Sequence, residues 1–217
     1  MVSVKVKKIA TSLAVAGIFT TGVMASPAYA DDSHITESSI QLVGENKDKW
    51  EALSDTERNQ ILETINHPDF RIGMTQEEAS KISPDLQVVG TEEIKDSQGS
   101  YALSRVTASS DRHEVTSQYT EKTSQLGIEL GWNKIEYKYV TGNNQVLETR
   151  SCVGTYNQIV PYRNVNVSTN HWLDNGEGIC TADWSVARLG GIGGTENWEQ
   201  GMKVNGPGIK EKWFFKK

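Results

Sequence analysis

The sequence predicts a mainly β fold, an antiparallel sandwich or barrel behind a short two-helix N-terminal region, α+β overall. Three observations carry this prediction. From about Ser100 onward, apolar and polar residues alternate with period two, and β-branched and aromatic types are frequent. Gly and Asn break that half of the chain at short intervals, as turns between strands do. Helix signals are confined to the part before it, whereas a doubly wound sheet would need helices between its strands.

The chain opens on an export signature. Lys5, Lys7 and Lys8 precede an uncharged, mostly apolar run from Ile9 to Ala25, and Ala28-Tyr29-Ala30 supplies a small-x-small cleavage pattern. The run is short for a membrane span and is followed by a cleavage pattern, so residues 1–30 are expected to be a signal peptide cut after Ala30, leaving a secreted, extracellular protein without a stable membrane anchor. Removing them deletes three lysines and no acids, taking the formal charge from −6 to about −9. Such an acidic chain is poorly suited to nucleic acid.

Residues 31–49 are polar and acidic without a sustained apolar period, and are expected to form a flexible leader. A helical region is expected over 50–98. Ser54-Asp55-Thr56-Glu57 is a capping-box pattern followed by Ile61, Leu62 and Ile65, and His67-Pro68 ends that helix. A second box, Thr75-Gln76-Glu77-Glu78, is followed by Ala79 and Ile82 and stopped at Pro84.

An antiparallel β domain is expected over 99–217. Its strand candidates are Tyr101–Ala108, His113–Glu121, Ile135–Tyr139, Val146–Val153, Gln158–Val167, Ile179–Arg188 and Ile209–Phe215. Gly142-Asn143-Asn144 supplies a hairpin turn. The stretch from Leu189 to Gly206, with Gly190, Gly191, Gly193 and Gly194, is expected to be a long irregular loop. Cys152 and Cys180, an even count in an exported chain, are expected to form a disulfide. Cys180 shares a strand face with Ala182, Trp184 and Val186, whereas Cys152 shares its nominal face with Glu148 and Arg150, a conflict that a bulge would resolve.

Phe70-Arg71-Ile72-Gly73-Met74-Thr75 ahead of a short helix resembles the entry of the helix-plus-sheet modules in β-lactamase inhibitor proteins and BamE-type outer-membrane assembly lipoproteins. The resemblance implies a helix packed on a short antiparallel sheet, and it makes a secreted protein inhibitor one alternative function. Gly73 as a turn and Thr75 as a cap account for the same residues.

No complete catalytic, cofactor or metal motif is present. His171, Asp174 and Glu177 lack the helix that would bring three-residue spacing together. Asp32-Ser33-His34 sets its histidine fourth rather than third after the predicted cut, and the glycine run at 190–194 lacks the residues of a phosphate loop. Neither cysteine has a nucleophile signature. Six tryptophans, however, exceed what a modest β core requires. Trp172, with His171 and Asp174 in a segment of loop composition, and Trp198 in the later loop are the candidate binding residues, because rigid rings beside polar side chains hold sugars or protein surfaces at low entropic cost. The expected function is non-catalytic binding of an extracellular protein or glycan, without a cofactor or a metal. A secreted hydrolase whose acid and base meet only in the fold is the other alternative.

Overall fold

The computed structural model describes residues 34–96, 112–159, 165–187, 195–206 and 208–217. The export signature, the Tyr101–Ala108 strand candidate and the glycine run at 190–194 lie outside them.

Both capping boxes form. Ser54 and Glu57 exchange bonds at the start of α2 (Asp55–Asn66), Glu57 Oε2 accepting from Ser54 N at 2.8 Å and Ser54 Oγ from Glu57 N at 3.3 Å. Thr75 and Glu78 do the same for α3 (Gln76–Ile82), at 2.9 and 3.2 Å. Ahead of them lies a helix the sequence did not suggest, α1 (Glu45–Ala52), preceded by a 3-10 turn at Glu37–Ser39. The expected flexible leader is therefore ordered packing from Ile35 on. Asn66 holds the Ile35 backbone through both its amide atoms, at 2.7 and 2.8 Å, and the Asn46 side chain pairs with both backbone groups of Glu129, each at 2.8 Å. Only a few apolar anchors, Ile35 and Trp50 among them, hold the segment, which is why no apolar period announced it.

Eight strands make two antiparallel four-stranded meanders. Sheet A is β1 (Leu86–Asp96), β2 (His113–Gln125), β3 (Ile128–Gly142) and β4 (Gln145–Gln158); sheet B is β5 (Val165–Asp174), β6 (Glu177–Ala187), β7 (Thr195–Asn205) and β8 (Gly208–Lys216). They stack as a sandwich, not a closed barrel. Two-residue turns at Asn143-Asn144 and Asn175-Gly176, all at positive φ, close the β3–β4 and β5–β6 hairpins. β1 and β7 are corrections to the expected helical region and irregular loop. In β7 Trp198, Gln200, Met202 and Val204 alternate inward, and the glycine-rich approach to the strand masked that period. The expected Gln158–Val167 strand is instead split between the end of β4 and the start of β5.

The inner face of sheet A is covered in two halves. At one end Leu86, Ile128 and Leu130 join Ile61, Ile65, Phe70 and Met74 of the helical region in one core. At the other, Ile135, Tyr137, Tyr139 and Val146 meet Trp184, Trp198, Met202 and Val204 of sheet B. Bulges keep the alternation in phase. Thr123 pairs with Gly131 and Ser124 with Glu129, leaving Leu130 as an extra inward residue. Likewise Ser151 pairs with Lys138 and Thr149 with Tyr139, so Arg150 is the extra residue and Cys152 turns inward opposite Tyr137. Cys152 and Cys180 are joined as a disulfide, with Cα atoms 5.6 Å apart, and clamp β4 to β6.

Candidate functional site

Strand alternation sorts the predicted site residues onto two sides of sheet B. Trp172 pairs with Ile179 and points outward with 41% of its surface exposed; Asp174 follows it on the same face. His171 immediately precedes Trp172 and points inward, opposite Cys180 and 6.3 Å from the Tyr137 ring. It is therefore not grouped with Trp172, although the two are sequence neighbours. The segment from Asn170 to Gly178 is a hairpin rather than a loop, and only Asn175-Gly176 forms its turn. Trp198 is the larger correction. It is 1% exposed, stacked on Phe214 with ring centroids 5.8 Å apart, and lies under the Arg71 guanidinium at 4.5 Å. It belongs to the core.

Two rings the sequence did not single out take its place on the outer face. Trp213 pairs with Gly201, which pairs with Thr181, which pairs with Asn170; Phe215, on the same face of β8, pairs with Glu199. Gly201 is what lets Trp213 lie down. A Cβ there would fall 2.1 to 2.6 Å from Cε2, Cζ2 and Nε1 of the indole, so the ring rests directly against the β7 backbone. Glu199 Oε1 accepts from Trp213 Nε1 at 2.8 Å and fixes the plane of the ring. Phe215 is 46% exposed. The face thus presents Trp172 at one edge strand and Trp213 with Phe215 at the other, with Ile179 and Thr181 between them.

Most of the charges around these rings are paired with one another. Glu177 receives both Lys203 and Lys210 at 2.5 Å, and Lys217 is held by Asp183 and by Glu199, the latter at 2.9 Å. These contacts lower the Glu177 pKa and raise those of Lys203 and Lys217, in each case through hydrogen bonding first.

A cleft of about 510 Å³ lies elsewhere, between the segment from Gln41 to Lys49 and the outer end of sheet A. Its charged groups are also mutually paired, Glu45 with Lys49 at 2.8 Å and Glu129 with Lys122 at 2.5 Å. The hydrogen bond and charge of Lys49 hold Glu45 below the usual carboxylate range, the opposite of what a proton donor needs. The carboxyl that burial does raise, Glu121, accepts from the Tyr119 hydroxyl and does not line this cleft. Among the described residues no group of three His, Cys, Asp or Glu side chains could hold a metal ion, and no helix is long and apolar enough to cross a membrane.

No protein-family model, curated protein or solved structure matches the chain.

Proposed function

We propose that this is an exported, non-catalytic binding protein that holds an extracellular glycan or protein surface on the outer face of sheet B. One observation carries the reading: Trp172, Trp213 and Phe215 share one sheet face, where Trp172 and Phe215 are 41% and 46% exposed and Trp213 rests against Gly201 before any ligand arrives. A ring fixed in advance loses little entropy on binding, so its contact area goes into affinity. The export signature and the disulfide support a location outside the cytoplasm.

The test is capture of ligand from the cell envelope or culture surroundings by the protein and by Trp172→Ala, Trp213→Ala and Gly201→Ala. Each truncation is expected to weaken capture about tenfold, the size of one good ring contact, with the melting temperature nearly unchanged. Gly201→Ala keeps all three aromatic side chains but lifts the Trp213 indole off β7, so it is expected to mimic Trp213→Ala. Retained capture in all three variants would rule out this face. A second reading, a secreted protein inhibitor, draws support from the packing of α2 and α3 against the inner face of sheet A; retained capture in the ring variants with loss on altering the α2–α3 surface would favour it.

A further inference from the structure

We infer that the ligand of this face is an uncharged polysaccharide chain, laid across the strands from Trp172 to Trp213. The inference rests on the reading of the outer face of sheet B as the binding surface and adds the chemistry of what lies there.

Charge comes first. Each of the four lysines of sheet B, and Lys217 just after it, is already committed to a carboxylate: Lys203 and Lys210 to Glu177, Lys212 to Glu92, Lys216 to Glu196 and Lys217 to Asp183 and Glu199. An anionic polymer would have to break these pairs to gain its own, and it would meet acidic side chains at Asp174, Asp183 and Glu199 as it did so. A cationic ligand would have to displace Lys203, Lys210 or Lys217 from Glu177, Asp183 and Glu199; Asp174 and Glu211 stand outside these ion pairs, and both already lie in the field of the Lys203 ammonium. An uncharged ligand leaves the ion pairs intact.

Shape and spacing come second. Protein interfaces concentrate their energy in a close-packed apolar centre surrounded by a polar rim. This face is arranged the other way. Its rings stand at opposite edge strands, about 14 Å apart at the usual strand spacing; between them Ile179 is only 9% exposed, and Thr181 on β6 and Asn170 beside Trp172 on β5 offer a hydroxyl and an amide. A sugar chain fits that layout. The apolar C–H face of one ring unit stacks on an indole, whose π-surface is negative, while hydroxyls of the next units hydrogen-bond the side chains between. Among the described residues the rings are borne by a pleated sheet, which suits an extended or solid polysaccharide rather than a small sugar that must be enclosed.

The test is sedimentation of the purified protein with insoluble cellulose, chitin and a β-1,3-glucan as neutral probes, and retention on polygalacturonate and heparin supports as anionic ones. Each is measured at low and at high sodium chloride. The expected result is capture by at least one neutral probe, unchanged by salt, and weakened about tenfold in both Trp172→Ala and Trp213→Ala with the fold retained. Capture only by the anionic supports and released by salt, or capture by none of the probes, would overturn the polysaccharide assignment. If in that case the ring variants still lose a cross-linked protein partner, the face binds but its ligand is a protein. If neutral capture occurs and the ring variants keep it, the binding face itself is misplaced.

Discussion

Glu121 is set against its own charge. Burial pushes its carboxyl above the ordinary range, and the Tyr119 hydroxyl that donates to it and the Lys212 charge only partly offset that push. The folded chain therefore binds this proton more tightly than the unfolded chain does. Its stabilising contribution is present in acid and is lost as pH rises from the ordinary carboxylate value through the raised one. Glu121→Gln keeps an acceptor for Tyr119 and has no charge to bury. The expected outcome is a melting temperature a few degrees above the parent at neutral pH, with the difference vanishing below about pH 4, where both side chains are uncharged. Thermal melts across that range decide it, and a variant equal to or less stable than the parent at neutral pH would show that burial is not what governs this group. The surface carboxylates Glu45, Glu57, Glu77 and Glu177 act in the opposite sense, their pKa values lowered by Lys49, Ser54, Lys81 and Lys203. They favour the fold above the ordinary range and withdraw that support in acid.

The β4–β6 clamp is the element-level feature that the sequence made plainest, and its weight can be measured. The disulfide closes a loop with a sequence separation of 28, worth about 3 to 4 kcal/mol by loop-closure entropy. Replacing both cysteines with alanine is expected to lower the melting temperature by about 10 °C, while a melt unchanged by reductant would mean that packing alone holds the sheets. Strands with a clean two-residue period and a flanking turn, such as β3 and β6, were legible because their pattern is local. β7 and the site were not. Trp198 looks like a loop ring until it is counted with Met202 and Val204, two and three pairs further along the same face. Trp213 stands in the apolar triplet Trp213-Phe214-Phe215, where no alternation says which ring faces out; Phe214 goes inward and its two neighbours outward. The role of Gly201 depends on the cross-strand partner in β8, and register between strands is not written in either strand alone.

The helical layer and sheet B share one face of sheet A, and a charged network crosses their boundary. Arg71, in the turn ahead of α3, reaches Glu78 Oε1 at 2.5 Å and Glu196 Oε2 of β7 at 3.1 Å while lying over Trp198. Lys216 of β8 meets the same Glu196 at 2.8 Å. Gly73, at φ 91°, lets the same turn pass under Phe214, since a Cβ there would come within 2.4 Å of that ring. Lifting either layer off sheet A breaks the Arg71–Glu196 pair and takes the guanidinium off the Trp198 ring, although Arg71 keeps Glu78 and Glu196 keeps Lys216. The helices are therefore expected to melt together with the sandwich. Urea unfolding followed by far-ultraviolet dichroism and by tryptophan fluorescence should give coincident curves, with Trp50 in the helical core and Trp184 and Trp198 between the sheets reporting both layers. Arg71→Met should lower the stability read from the common transition by about 1 to 3 kcal/mol, since Glu196 keeps Lys216. If the helical signal is lost first in the parent, the network does not couple the layers, and the N-terminal region is an attachment to an independently folding sandwich.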